Sequence, residues 1–145
     1  MFHENLPTMR YLSFDKQQDN VLLIARVLMM VLFVMFGWQK LIGFSGTVAY
    51  MGSTGVPVPT LAAVIAVVME FVAGLLIVAG FYTRPVALLL ALYTLGTAFI
   101  GHPYWTMTGA DQYANQINFY KNVSIVGGLL VLIVSGPGRF SIDRH

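Results

Sequence analysis

The 145-residue sequence contains no cysteine and few charged residues. Without cysteine the chain can form neither a disulfide nor a thiolate metal site, and it cannot carry a dithiol relay of the kind that four-helix thiol oxidases need. Asp, Glu, Lys and Arg make up only 10% of the residues, against about a quarter in an average soluble domain. Because 57% of the residues are hydrophobic and the mean hydropathy is +0.75, the composition predicts an integral membrane protein.

Other absences exclude further classes of function. The three histidines lie far apart, at positions 3, 102 and 145, so we expect no metal site built from them. Lys and Arg form no basic cluster, and the net charge of +2 therefore predicts contact with lipid headgroups and no nucleic-acid partner. No nucleophile elbow, P-loop or dinucleotide glycine fingerprint occurs, so the residues alone do not indicate a stand-alone catalyst.

Four apolar stretches approach or reach the roughly 17 to 25 residues that a membrane-spanning helix needs. They cover residues 21–43, 60–80, 85–101 and 119–136. Backbone polar groups must be paired internally within hydrocarbon, and no alternating pattern of barrel strands occurs, so each stretch is predicted to be a helix. The predicted fold is an all-α, four-transmembrane-helix bundle over residues 21–136, with an N-terminal tail (1–20) and a C-terminal tail (137–145).

The distribution of basic residues predicts the orientation of this bundle. The segments 44–59 and 102–118, which join the first stretch to the second and the third to the fourth, contain no Lys or Arg. Basic residues outside the stretches lie instead in the two tails and at Arg84, in the short turn before the third stretch. Since cytoplasmic segments retain the positive residues, both termini are predicted to be cytoplasmic.

One carboxylate, Glu70, lies in the middle of the second stretch, within an otherwise uncharged run from Thr60 to Gly80. An acid at this depth needs a counter-ion or a proton, because removing the ion from water costs several kcal/mol. Arg26, Lys40 and Lys121 lie within or at the edges of the other stretches. We expect Arg26 and Lys121 to approach Glu70 from opposite sides, whereas Lys40, near the end of its stretch, is expected to extend towards the membrane surface.

The first stretch places several of its residues along a single helical face, as calculated at 100° per residue. They are Arg26, Met30, Phe33, Gly37 and Lys40. Both cations of this stretch therefore point in the same direction.

Uncharged hydrogen-bonding residues accompany the charges, in greater number than one ion pair uses. The predicted pocket or buried charge network comprises Glu70, Arg26, Lys121, Asn122, Tyr93, Thr97, Lys40 and Gln39. Two interpretations stay open. The charges form structural pairs that fix helix packing, or the set lines a pocket for an anionic or carbonyl-bearing ligand.

Several short motifs resemble those of the DoxX family of small bacterial inner-membrane proteins. They are Arg26 with the exit of the first stretch (FGWQKLIGFSGTVAYM), then GVPVP, MEFVAG, GFYTRP, NFYKN and SGPGRFSID. The resemblance extends from about residue 22 to residue 143 and implies the four-helix fold and a multi-pass location in the bacterial inner membrane. Because the family takes its name from proteins linked to a thiosulfate:quinone oxidoreductase, it also implies an association with membrane redox or sulfur chemistry.

We therefore expect an accessory subunit of a quinone- or sulfur-linked redox system, embedded in the lipid bilayer. It has no intrinsic cofactor, and a quinone is the candidate ligand of the pocket. In this interpretation Glu70 orients or protonates the ligand, while Arg26 and Lys121 balance its charge and Tyr93 and Asn122 supply hydrogen bonds. A membrane or peripheral oxidoreductase is the candidate partner, and small-residue helix faces allow a homo-oligomer. A small-solute or proton-linked transporter and a membrane assembly factor or scaffold are the alternatives.

Overall fold

A computed structural model describes residues 15–145, and within that range the chain is helical with no β-strand. The elements in order are α1 (Gln18–Ile42), α2 (Phe44–Ser53), α3 (Pro59–Val67), a π-helical turn (Val68–Val72), α4 (Ala73–Ala79), α5 (Thr83–Gly101), a 3-10 turn (Tyr104–Thr106) and α6 (Gly109–Ser135). Four helical rods are long and apolar enough to cross a membrane, namely α1, the continuous rod from α3 to α4, α5 with the 3-10 turn, and α6. The predicted all-α bundle of four spans is confirmed.

The last rod begins well before the apolar stretch that predicted it. α6 starts at Gly109, so much of the segment 102–118, predicted as a connecting loop, is helical. Hydropathy marks only the part of a helix that lies in hydrocarbon. The polar residues at the start of α6 continue the same helix beyond that part.

A glycine ends the second rod and sets the turn into the third. Gly80 adopts a left-handed φ of 70°. Its N–H donates to the carbonyl of Ile77, and the N–H of Phe81 donates to the carbonyl of Leu76. This pair of bonds is a Schellman motif, which satisfies carbonyls that the helix end leaves without partners.

The segment after α6 folds back over this turn. The backbone N–H groups of Ile142 and Asp143 donate to carbonyls at the end of α4. The Asp143 carboxylate accepts the N–H groups of Tyr82 and Thr83 at 2.9 and 2.8 Å, so it caps the start of α5 from a distant part of the chain. Although partial burial raises the pKa of Asp143, these hydrogen bonds outweigh burial and hold the pKa below its usual value.

The four rods pack as two pairs. α1 lies along the rod from α3 to α4, and α5 lies along α6, whereas the pairs approach each other mainly through α4 and α5. An apolar cluster fills this junction and includes Met30, Phe33, Ile77, Leu90, Leu129 and Leu132. The bundle is therefore tightest towards the end at which α1 begins and α6 finishes, hereafter the terminal end. Towards the opposite end the pairs separate. There α3 makes at most marginal backbone contact with α5 or α6.

Candidate functional site

Glu70 lies on the π-helical turn Val68–Val72, halfway along the second rod. π-helical turns are rare, and they occur frequently at functional sites. Only 8% of the residue is exposed, so the carboxylate lies inside the bundle and does not face surrounding lipid.

Both carboxylate oxygens of Glu70 accept a hydrogen bond from another helix. Lys40 Nζ donates to Oε1 at 2.8 Å from α1, and the Tyr93 hydroxyl donates to Oε2 at 2.7 Å from α5. The Lys40–Glu70 pair is the one salt bridge among residues 15–145. A cation and a strong neutral donor together offset the cost of burying the charge. We call Lys40, Glu70 and Tyr93 the Glu70 triad.

A glycine on α1 brings Lys40 within reach of the carboxylate. Gly37 is buried, and a Cβ atom added to it would lie 2.4 Å from the backbone nitrogen of Phe71, the residue after Glu70. No other amino acid permits so close an approach of the two backbones. Lys40 lies almost one turn further along the same face of α1 and therefore opposite Glu70.

An aromatic ring lies beside the accessible part of the triad. The Phe36 ring centroid is 5.8 Å from Lys40 Nζ, a cation–π distance. The Trp38 and Phe71 rings pack with centroids 5.6 Å apart. The Lys40 side chain is 29% exposed and that of Glu70 is 11% exposed, so a ligand would meet the ammonium first. Among the described residues Glu70 is the single hydrogen-bond acceptor of this ammonium, which leaves further N–H groups for a ligand.

Arg26 is fully buried but serves a different part of the fold. Its guanidinium donates to the carbonyls of Ile77 at 3.1 Å and Val78 at 2.6 Å, and also to the carbonyl of Phe140. The first two carbonyls belong to the end of α4, where helical partners are missing. The expectation that Arg26 is a counter-ion of Glu70 is therefore corrected. Carbonyls at the terminal end accept hydrogen bonds from Nη1 and Nη2 of the guanidinium, and Lys40 takes the place beside Glu70.

Two of the predicted polar residues form a separate contact between α5 and α6. The buried Asn122 side chain donates to Thr97 Oγ1 at 3.3 Å and to the carbonyl of Thr94 at 3.4 Å. Thr97 lies one turn beyond Tyr93 on α5. This contact holds the helix that supplies Tyr93 against its neighbour.

The remaining two predicted residues do not join the triad. Lys121 donates to Asn118 Oδ1 at 3.2 Å, within α6 itself, and the second cation expected beside Glu70 is therefore not there. Gln39 is exposed next to Lys40 on α1. Neither side chain contacts the Glu70 carboxylate.

Two open surface grooves lie on the described part of the chain, and neither is lined by Glu70. One, of about 550 Å³, lies at the terminal end between the start of α5 and the C-terminal segment. The other, of about 540 Å³, runs along α6 beside Lys121. Glu70, Arg26 and Lys121 therefore do not line one of these grooves together, in contrast to the single central cavity that was expected.

Sequence reasoning missed the structural importance of Gly37 and of the π-helical turn. The buried residues of α1 are Arg26, Met30, Phe33 and Gly37, which lie on the predicted face, so that face already indicated a helix contact at Gly37. The residue type also signalled close approach, since small residues let helix backbones meet in membranes. No residue in the VMEFV sequence signalled the π-helical turn.

The chain can be compared with known proteins. The DoxX family model matches residues 21–103. The chain belongs to the DoxX family. Inner membrane protein YphA of Escherichia coli (strain K12) is 56% identical to this DoxX protein over 138 residues, which cover 95% of the chain and 99% of that relative. Inner membrane protein YqjF of the same organism is 44% identical over 129 residues, covering 89% of the chain and 94% of that relative.

A more distant similarity covers about half of this DoxX protein. A Surfeit locus protein 4 homolog of Schizosaccharomyces pombe is 33% identical over 79 residues, or 53% of the chain and 26% of that relative. No solved structure gives a significant match. The two relatives matched over nearly their whole length are named inner membrane proteins, and residues 15–145 contain four helices that are long and apolar enough to cross a membrane. It is a multi-pass inner-membrane protein.

Proposed function

We propose that this DoxX protein is an accessory subunit of a membrane redox system and that the Glu70 triad binds the headgroup of a quinone. The observation that carries the proposal is a buried carboxylate whose counter-ion, Lys40, is partly exposed beside the Phe36 ring. A purely structural ion pair needs no such access. A binding site needs both an oriented polar group and a way in.

The triad fits the chemistry of a quinone headgroup. A quinone offers carbonyl oxygens that accept hydrogen bonds and a flat apolar ring. Lys40 supplies the donor, and the exposed Phe36 supplies an apolar ring surface beside it. A bound quinone would supply two-electron, two-proton redox chemistry, with the electrons coming from an oxidoreductase partner.

The residues of the triad can hold and reposition a proton. Tyr93 Oη and Lys40 Nζ both bear protons within 2.8 Å of the Glu70 carboxylate. Transfer of a proton from Lys40 to Glu70 would leave a neutral amine and a neutral carboxyl group, and so would change the charge that Lys40 presents to a ligand. This position is suited to general acid–base exchange with a bound carbonyl.

Quinone binding can be measured through Trp38, which packs against Phe71 next to Glu70. The protein carries two tryptophans, so a Trp105→Phe background isolates the Trp38 signal. Titration with a short-chain quinone in detergent should quench this fluorescence to saturation. Glu70→Gln and Tyr93→Phe should each weaken binding about tenfold or more, since each removes a charged or hydroxyl partner of the site.

The matched control is Asp111→Asn, which neutralises an exposed acid in the first turn of α6. Quinone affinity should be unchanged in this variant. Failure of the quinone to saturate the signal, or equal affinities in Glu70→Gln and Asp111→Asn, would refute the proposal. Solute flux in proteoliposomes that depends on Glu70, without quinone binding, would assign the triad to a transporter instead.

The distribution of charge supports an orientation for the site. Arg84, Arg139 and Arg144 all lie at the terminal end, and the segments at the opposite end carry no Lys or Arg. We therefore place the terminal end in the cytoplasm. Lys40 is in the last turn of α1, so the accessible part of the triad then faces the periplasmic half of the bilayer.

A further inference from the structure

A second polar site lies at the terminal end, and the quinone proposal does not use it. It is the groove of about 550 Å³ between the start of α5 and the C-terminal segment. Arg84 and Asp143 line this groove, with Tyr82, Pro137 and His145 around them.

The walls of the groove are held in place by hydrogen bonds to distant parts of the chain. Asp143 is fixed by two hydrogen bonds to the backbone of the α5 start, and the buried Arg26 ties the end of α4 to the carbonyl of Phe140. Gly136 has a φ of 72°, and a Cβ atom there would lie 2.9 Å from Arg84 Nη2. The guanidinium therefore lies directly against the backbone of the C-terminal segment.

The two charges in the groove are not paired with each other. Lys40 and Glu70 form the one salt bridge among the described residues, so Arg84 has no acidic partner within residues 15–145. Each oxygen of Asp143 accepts one backbone N–H, and each keeps a lone pair for another donor. The groove is thus lined by a guanidinium and a carboxylate that are not paired with each other.

The groove lies at the level of the bilayer at which lipid headgroups are expected. It adjoins the residues at which two membrane-length rods end, Ala79 and Ser135, and at which a third begins, Thr83. The exposed Tyr82 ring beside it is of the type found at membrane–water interfaces. A ligand here would be a molecule whose polar group sits at the bilayer surface.

We propose that this groove binds the headgroup of a phospholipid that carries both a phosphate and a primary ammonium, as phosphatidylethanolamine does. Arg84 binds the phosphate, because a guanidinium fork matches phosphate oxygens. Asp143 accepts hydrogen bonds from the ammonium. The groove therefore selects this headgroup over anionic lipids without an amine and over quaternary amines, which have no N–H to donate.

The test uses delipidated full-length protein and counts retained lipids by native mass spectrometry. Phosphatidylethanolamine should be retained at least fivefold more than phosphatidylglycerol or phosphatidylcholine of the same acyl chains. Arg84→Gln should abolish this preference, and because Arg84 is exposed the bundle should remain folded. Arg139→Gln, which removes a charge of the same sign from an exposed residue at the same end, should retain the preference.

Equal retention of the three lipids by the wild-type protein would overturn the proposal, as would equal effects of Arg84→Gln and Arg139→Gln. Loss of phosphatidylglycerol and phosphatidylethanolamine in the same proportion on Arg84→Gln would show a phosphate site without recognition of the amine, which also contradicts it. None of these outcomes depends on quinone binding to the triad.

Discussion

Glu70 stays buried because its two donors lie on different helices and both reach it. A buried ion pair is weak evidence for added stability, but removal of one partner leaves an uncompensated charge and is strongly destabilising. At this site Lys40 and Tyr93 hold the carboxylate at 2.8 and 2.7 Å. The position of α1 relative to the second rod therefore decides whether the charge can be tolerated.

The substitution Gly37→Ala tests the position of α1 relative to the second rod. A Cβ atom at residue 37 would lie 2.4 Å from the backbone nitrogen of Phe71, so α1 must move away and carry Lys40 with it. We expect a loss of about 1 to 3 kcal/mol in the free energy of unfolding, as for other overpacked sites, and weaker quinone binding. Unfolding titration in mixed micelles measures the first effect.

The control for this substitution is Gly96→Ala on α5, where an added Cβ meets nothing within 4 Å. That variant should be as stable as the wild type or slightly more so, because alanine favours a helix more than glycine does. Equal stabilities for the two alanine variants would show that the Gly37 contact does not set the helix spacing.

The sequence predicts that Glu70 needs a cation, but it does not predict which residue supplies that cation. Arg26, Lys40 and Lys121 are all within or near apolar stretches, and counting residues gives only their approximate depth. The choice depends on the contact of Gly37 with Phe71 and on the carbonyls at the end of α4, which accept hydrogen bonds from Arg26 instead. Both are properties of the packed structure.

At the scale of helices and connecting segments, Arg26 and the turn at Gly80 attach the C-terminal segment to the bundle. The segment supplies the cap of α5 through Asp143 and a carbonyl acceptor, that of Phe140, for a buried guanidinium. Arg26 therefore acts on the structure of the terminal end and not on the triad.

Arg26→Lys should loosen this segment locally. The lysine ammonium is shorter in reach than the guanidinium and cannot serve the three carbonyls together. We expect amide hydrogen exchange of Ile142 and Asp143, whose N–H groups bond to the end of α4, to accelerate about tenfold, because hydrogen bonds to charged groups contribute about 1.5 to 3 kcal/mol. Exchange measured by mass spectrometry gives the result directly.

Arg139→Gln is the comparison here, since its side chain is exposed and only its backbone N–H bonds to Asp19. Exchange at residues 142 and 143 should be unaffected in that variant. Unchanged exchange in Arg26→Lys would mean that the segment is held without the guanidinium.

The sequence predicts where the helices form better than it predicts their type or the residues at which they begin and end. Hydropathy locates the four rods, but it gave the start of α6 too late because polar residues continue the helix past the hydrocarbon. The π-helical turn at Val68–Val72 has no residue signature, and it lies where the second rod contacts α1 and α5. The turn at Gly80, by contrast, follows from a glycine placed between two apolar stretches.

On the scale of the whole molecule, the two helix pairs join at the terminal end and separate at the other. Composition predicts four spanning helices, but it does not predict this asymmetry, which arises because the apolar cluster around Leu90 and Ile77 lies in one half. The Glu70 triad sits at the edge of that cluster. Its access is consequently expected from the opposite end.

The absence of cysteine permits a direct test of sidedness with single introduced thiols. Gln39→Cys, next to Lys40, should react with a membrane-impermeant maleimide added to intact spheroplasts. Arg139→Cys, at the terminal end, should react only in inside-out vesicles, while Leu90→Cys, which is fully buried, should react in neither. Labelling of residue 39 from the cytoplasmic side would reverse the proposed orientation.

The pairing of Lys40 with Glu70 is tested most directly by a double-mutant cycle of Lys40→Met and Glu70→Gln. Each single variant leaves an unpaired charge or an unmatched donor, and we expect each to lose about 2 to 4 kcal/mol in the free energy of unfolding. The double variant, which carries neither charge, should recover most of that loss, with a coupling energy of about 2 kcal/mol or more. Losses that add to within about 0.5 kcal/mol would show that the two residues act independently and would contradict the ion pair on which the site depends.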